Sequence, residues 1–280
     1  MLNFDKEYFT IPVLVKTGLP PLPGSVMRIS AMLADLNTSQ REIAEAISLD
    51  PILSSRMLRL ANSAIYGLRE QVTNLETAVF AIGTSSIAQT ITMSGISDAF
   101  GRRVLSSPAG QEVWGHSLAT AMAATEICRI KGFRGADEAF TCGLLHDIGK
   151  LILLRADTPL YLGILELAAL QGPLTDVESE AFGFDHTELG AAAAQAWGLP
   201  SVVCDVIRHH HQPWSPTEGL RTTQVLHAAD TLVNLKTADG ETEKIFEDDT
   251  VLTFGLNAEQ LDEIWKTVLV RLAEVLATLS

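Results

Sequence analysis

The sequence predicts an all-α fold. Capping-box pairs recur along the chain, apolar residues repeat at helical spacing, and period-2 runs of Val, Ile and aromatic residues are missing. Together these predict roughly 12 to 14 short helices. With 280 residues, of which 47% are apolar and 6% aromatic, the chain can bury a large core and is too apolar to be disordered.

Taken in order, Ser39 and Glu42 predict the first capped helix. The serine side chain accepts an N-terminal backbone N–H, and the glutamate reaches back to the cap. Asp50-Pro51 reads as N-cap and first helical residue, because proline lacks an N–H that would be orphaned there. Ile52, Leu53, Met57, Leu58 and Leu60 then recur at helical spacing. Thr73 and Glu76 predict another start, followed by Leu75, Val79, Phe80 and Ile82. The stretch 101–110, GRRVLSSPAG, reads as a linker or long loop. Thr175/Glu178 and Asp185/Glu188 predict two further starts, and a helix over about 201–211 ends before Pro213. Residues 237–250 hold six acids and one lysine and read as a solvated loop. Asn257/Gln260 open a C-terminal helix over about 257–278.

The chain has 20 Lys and Arg against 34 Asp and Glu, a net charge of -14. Residues 1–110 hold nine bases and nine acids, whereas 111–280 hold eleven bases and 25 acids. All seven histidines lie between 116 and 227. This asymmetry predicts a neutral helical subdomain over 1–105 and an acidic, histidine-bearing one over 106–280. Such an acid surplus argues against nucleic acid and against anionic lipid, because both need a basic surface. Cys128, Cys142 and Cys204 are too few and too scattered for a disulfide framework. The N-terminus, MLNFDKEYFT, lacks a basic-then-apolar signal pattern. The longest apolar stretch, 78–96, is interrupted by Gly83, Thr84, Ser85, Ser86 and Gln89. The expectation is a cytoplasmic protein with no membrane partner.

The histidines and nearby acids supply the chemistry. The run GLLHDIGK (143–150) puts His146 beside Asp147, and a carboxylate can bridge two metal ions. Lys150, four residues after His146, could reach a phosphate. Glu112 and His116 share a helix face at i, i+4. His186 follows Asp185 at a helix start, and His209, His210 and His211 end a helix. His227 and Asp230 are spaced i, i+3; His227 reads as an ordinary packed residue, because Asp230 alone completes a ligand set. A metal site in a helical bundle is built from one or two residues on each of several helices. Mixed imidazole and carboxylate ligands favour Mn, Fe or Zn over Mg or Ca.

The order His116, His146-Asp147 and distant Asp230 resembles the HD superfamily of metal-dependent phosphohydrolases. His186 and the pair His210-His211 resemble the larger set of its HD-GYP branch, and Glu112 sits where that branch can have a further ligand. LPPLPGSVMRISAML (19–33), DPILSSRMLRLANSAIYG (50–67) and TNLETAVFAIGTSSIAQTI (73–91) resemble the front half of the HDOD domain, the HD-related output domain of bacterial signalling proteins. The resemblance runs over about 19–235 and implies a multi-helical HD-like fold with an N-terminal helical subdomain. It uses almost the whole chain, so no receiver or sensor domain is expected on it.

One departure matters. HD-GYP proteins carry a Glu and then Gly-Tyr-Pro after the histidine run, where this chain reads HHHQPWSPTEGL with Gln212. That argues against cyclic dinucleotide hydrolysis. HDOD proteins are regarded as regulatory modules without established catalysis. The resemblance therefore implies a signalling module with a protein partner and one or two divalent transition-metal ions (Fe, Mn or Zn). The metal ligands would be Glu112, His116, His146, Asp147, His186, His210, His211 and Asp230. The alternative is a metal-dependent phosphohydrolase of a nucleotide or other phosphoester, with Asp147 bridging the metals and Lys150 on the substrate phosphate.

Overall fold

A computed structural model describes residues 7–35, 37–63, 66, 68, 71–215, 218–237 and 248–279. Among these the regular structure is helical and contains no strand. The first helices are α1 (Ile11–Gly18), α2 (Gly24–Ala34) and α3 (Gln40–Ser48). Both bonds of the Ser39–Glu42 capping box are present at the start of α3. Asp50 caps α4 (Pro51–Ala61) by accepting from the N–H groups of Ile52 and Leu53. The start of α5 (Leu75–Ile82) differs from the expectation. Asn74 is the cap and accepts from Thr77 N–H, so the Thr73/Glu76 register is one residue off. Both Thr and Asn can cap, and only the backbone decides which is extended there.

The stretch read as a linker is mostly helical. α6 (Thr84–Leu105) runs through it with one break, at Gly101, whose φ of 61° lies in the left-handed region. Ser107 then caps α7 (Pro108–Lys131), with Pro108 as its first residue. The Gly, Ser and Pro that suggested a loop are helix punctuation instead. α8 (Ala136–Leu145), α9 (Ile148–Ala156) and α10 (Thr158–Gln171) follow. The Thr175/Glu178 box does not form, because α11 (Leu174–Phe182) starts after Pro173 and already contains both residues. The Asp185–Glu188 box opens α12 (His186–Ala196). The remaining helices are α13 (Ser201–His209), α14 (Leu220–Thr237), α15 (Asp249–Phe254) and α16 (Ala258–Leu279). Residues 238–247 of the acidic run lie outside the described residues. Its last part is not loop, since Asp248 caps α15. Asn257 and Gln260 exchange the two bonds of a capping box at the start of α16.

Two compact units divide the chain: Met1–Pro20 with Phe100–Val268, and Pro21–Ala99 with Leu269–Ser280. In the second, α3 packs on α2, α4 and α5 around Ile29, Ile43, Ile47, Leu53, Met57 and Val79. Arg56 is buried there, and its guanidinium donates twice to Asp98, at 2.9 and 3.0 Å. No single helix among the described residues is long and apolar enough to cross a membrane. α5 and the start of α6 pass on length and composition only together, across a bend of 107°.

In the first unit, α7 packs against α8 and α14, and α12 packs against α9 and α13. Many of the buried residues of α7 are Ala, Ser or Thr, which allows close approach of the helices around it. A close backbone contact joins α9 to the start of α12. A Cβ on Gly149 would lie 2.1 Å from the carbonyl oxygen of His186. A backbone carbonyl held in a helix cannot move aside as a side chain would. Gly149→Ala should therefore destabilise the protein by about 3 kcal/mol or more, at or above the top of the usual overpacking range. Urea unfolding measures this, and a loss below about 0.5 kcal/mol would contradict the close approach.

Candidate functional site

Helices α8 and α9 are separated by only two residues, His146 and Asp147. His146 is still helical, whereas Asp147 (φ -98°, ψ 13°) turns the chain into α9. The two side chains therefore leave a junction rather than one continuous helix, and both are buried. His116 on α7 and Asp230 on α14 meet them there. His116 Nε2 lies 2.9 Å from Asp230 Oδ1 and 3.3 Å from His146 Nε2. Asp147 Oδ2 is 3.3 Å from His146 Nε2 and 3.8 Å from His116 Nε2.

A second cluster lies on the other oxygen of Asp147. His186, the first residue of α12, places Nε2 at 3.4 Å from Asp147 Oδ1 and 3.2 Å from His211 Nε2. His210 Nε2 is 3.9 Å from the same Oδ1. The potential ligand atoms of His186, His210 and His211 lie within 4.8 Å of one another, as do those of His116, His146 and Asp147. His210 is the C-cap of α13, and both His146 and His210 are fully enclosed.

Ring tautomers follow from the outer hydrogen bonds. His146 Nδ1 donates to Gly143 O at 2.7 Å, and His210 Nδ1 donates to Ile207 O at 2.7 Å. His186 Nδ1 donates to Glu178 Oε2 at 2.6 Å. In its neutral form each ring would then turn a bare Nε2 lone pair toward the centre, the usual arrangement of a metal-ligating imidazole. Facing Nε2 atoms at 3.2 and 3.3 Å repel unless a proton or cation is shared between them.

The charges respond to this packing. Burial opposes ionisation of Asp147, but His146, Lys150 and His186 outweigh it and hold its carboxyl well below the usual range. Burial likewise opposes the Asp230 carboxylate, and His116 and His146 more than compensate, so its pKa is lowered too. Burial lowers the His146 imidazolium, yet Asp147 and Asp230 raise it overall. His210 is driven strongly down by burial, then by His211, His146 and His186. Among the described residues, five buried side-chain atoms keep no hydrogen-bond partner, and two of them belong to this site: Asp147 Oδ1 and His210 Nε2. Both point into the second cluster. Such a buried pair of acceptors is expensive alone and is satisfied by a cation.

Other candidate residues sort out as follows. Lys150 does not face open solvent. Its Nζ donates to Asp147 Oδ2 at 2.7 Å; burial lowers its pKa, but the charge and hydrogen bond of Asp147 outweigh burial and leave it raised. Glu112 is exposed on α7, one turn before His116, and takes part in none of the contacts given above. His209 points elsewhere, with Nδ1 donating to Asp205 O at 2.8 Å. His227 supports the cluster from outside: Nδ1 donates to His210 O at 2.8 Å, and Nε2 lies 3.2 Å from Asp248 Oδ2. Two residues escaped the sequence reading, Glu178 and Tyr161. Glu178 was assigned to a capping box, but it is fully buried and bonded to His186. Its spacing of eight residues before His186 matches no local pattern that would have revealed it.

An all-helical unit that gathers imidazoles and carboxylates from five helices and their junctions defines a class of HD-like proteins. The chain belongs to the HDOD family, whose domain matches residues 19–213. An uncharacterized protein of Treponema pallidum (strain Nichols) is 26% identical over 229 residues, covering 80% of this chain and 43% of that protein. The chain thus spans less than half the length of this relative. Among solved structures, a candidate phosphohydrolase from Shewanella amazonensis SB2B is similar with a TM-score of 0.75 and 24% identity, over 95% of this chain and 98% of that one. A candidate signal transduction protein from Marinobacter aquaeolei VT8 has a TM-score of 0.74 and 19% identity, over all of this chain and 62% of that one.

The His227–Asp248 pair gives a pH signature away from the cluster's own rings. Burial lowers the His227 imidazolium, but the hydrogen bond to Asp248, the His210 carbonyl and the Asp248 charge raise it overall. Its contribution is fully present below the ordinary imidazole pKa of about 6.5 and is lost as pH rises through the raised folded value. The melting temperature of metal-free wild type should therefore exceed that of His227→Gln most near pH 6, and the gap should narrow toward about pH 9. A gap independent of pH would show that the pair is not charged.

Proposed function

We propose that this protein is a regulatory module of signal transduction whose HD-like unit holds a pair of divalent transition-metal ions. His116, His146, Asp147 and Asp230 would surround one ion, and Asp147, His186, His210 and His211 the other. The observation that carries this reading is the pair of buried, partnerless acceptors, Asp147 Oδ1 and His210 Nε2. The donor set fits such ions: five imidazoles and two carboxylates suit Fe, Mn or Zn better than Mg or Ca. Glu112, exposed one turn before His116, would be a further ligand only after its side chain swings inward. Family membership and the Marinobacter relative support the signalling role, with a protein as partner. The surplus of acid argues against nucleic acid or a lipid surface.

A second reading is a metal-dependent phosphohydrolase acting on a nucleotide or other phosphoester. It is favoured by the position of Asp147, with one oxygen toward each cluster, and by Lys150 beside it. The Shewanella relative supports it as well. Bound metals would polarise a phosphoryl oxygen and supply hydroxide near neutral pH. In that reaction Asp147 would be a ligand to the metals, and Lys150 would turn its ammonium from Asp147 toward the substrate phosphate. Gln212 stands where an HD-GYP enzyme would carry Glu, which weighs toward the regulatory reading.

Elemental analysis of protein purified without chelator or histidine tag should find about one to two transition-metal ions per chain. Less than about 0.2 per chain would sink the ligand assignment. Asp147→Ala should abolish nearly all of the bound metal. Phosphodiester and phosphomonoester substrates offered with Mn²⁺ or Fe²⁺ then separate the two readings. Hydrolysis that falls at least about 100-fold in Asp147→Ala establishes the enzyme, and its absence leaves the regulatory module.

A further inference from the structure

The two proposed metal positions differ in charge. The first has Asp230 and one oxygen of Asp147. The second has only the other oxygen of Asp147 among three neutral imidazoles. A dication there lacks the second carboxylate that its neighbour enjoys. Behind His186, however, lies Glu178, whose side chain is wholly enclosed. Its Oε2 accepts from the His186 backbone N–H at 2.9 Å and from His186 Nδ1 at 2.6 Å. Its Oε1 accepts from the Tyr161 hydroxyl at 2.5 Å. Burial, followed by the Glu178 charge, raises the Tyr161 phenol well above its ordinary range, so Tyr161 remains a donor.

Enclosing a carboxylate this deeply is costly unless it is fully hydrogen-bonded. Here α11 aims it at the one imidazole that begins α12, while α10 supplies the tyrosine that closes its free side. We propose that Glu178 is the positioning residue of the second metal position, acting through His186 and held in place by Tyr161. This rests on the metal reading above. The Nδ1–H···Oε2 bond selects the tautomer with a bare Nε2 and keeps the ring turned toward Asp147 Oδ1. The carboxylate charge also makes that Nε2 a stronger donor to a metal. Glu178 thus supplies, one residue removed, the negative charge that Asp230 brings to the first position directly.

Glu178→Gln separates charge from shape. Its amide oxygen can accept both His186 N–H groups, while the amide NH₂ faces Tyr161, whose oxygen can accept. The test is titration of Co²⁺ into the metal-free full chain, followed by visible absorption and equilibrium dialysis. Wild type should take up two ions. Glu178→Gln should keep the first step and weaken the second by about 10- to 100-fold, the usual cost of losing such an outer partner. Melting of the metal-free variant should stay close to wild type. Two steps with wild-type affinities would overturn the proposal, as would equal weakening of both. A wild type that takes up no Co²⁺ overturns the metal reading, and the role of Glu178 with it. If Glu178→Gln does not fold, Tyr161→Phe decides. It leaves the carboxylate but frees it, so the second step should weaken by a smaller factor while the first does not change. An unchanged second step there overturns the proposal.

Discussion

The Asp147 carboxylate is the anion around which the first unit is arranged. One oxygen is bonded to Lys150 and lies among the rings of His116 and His146. The other faces His186 and His210 and has no hydrogen-bond donor. Burial alone would favour the neutral acid, and the surrounding positive charge reverses that preference. The carboxylate reaches this place because α8 ends and α9 begins within two residues. That junction turns sharply only where α9 can lie against the start of α12, and Gly149 provides the room. The close helix contact and the buried charge are therefore one constraint seen from two sides.

Three of the rings around Asp147 are held from behind, by two kinds of acceptor. Backbone carbonyls of the preceding turn take the Nδ1 protons of His146 and His210, which costs no additional charge. His186 cannot use that device, since it is the first residue of its helix and has no preceding turn. A carboxylate takes the role instead, and the tyrosine behind it completes a relay from α10 through α11 to α12. His227 braces the carbonyl of His210 from α14, and Asp248 engages it from the cap of α15. Preorganisation of this kind suits a centre whose ligands must not move apart under mutual repulsion when a cation leaves.

Much of this was legible in the chain. Capping residues act within three positions of themselves, so Ser39, Asp50, Asp185 and Asn257 declared their helices correctly. Errors arose where two readings were locally equivalent. Thr73 and Asn74 are both competent caps, and Gly, Ser and Pro at 101–110 serve a linker and a helix boundary equally well. Lys150 was legible as a cation near His146, but its ion pair with Asp147 was not, because the turn between α8 and α9 leaves no mark in composition. Glu178 was misread for the same reason: a Thr three residues before a Glu looks like a cap whether or not the helix has already begun.

By itself, the sequence determined the all-helical class, the HDOD resemblance and the residue types available for a buried centre. Those properties depend on periodicity, capping and composition, which act over a few residues. Only the tertiary structure decided which of these side chains meet. His116 and Asp230 approach to 2.9 Å across 114 positions of sequence, and Glu178 meets His186 through the turn between α11 and α12. Such pairings come from helix packing, in which each contact depends on the shape of every neighbour. No local pattern encodes them.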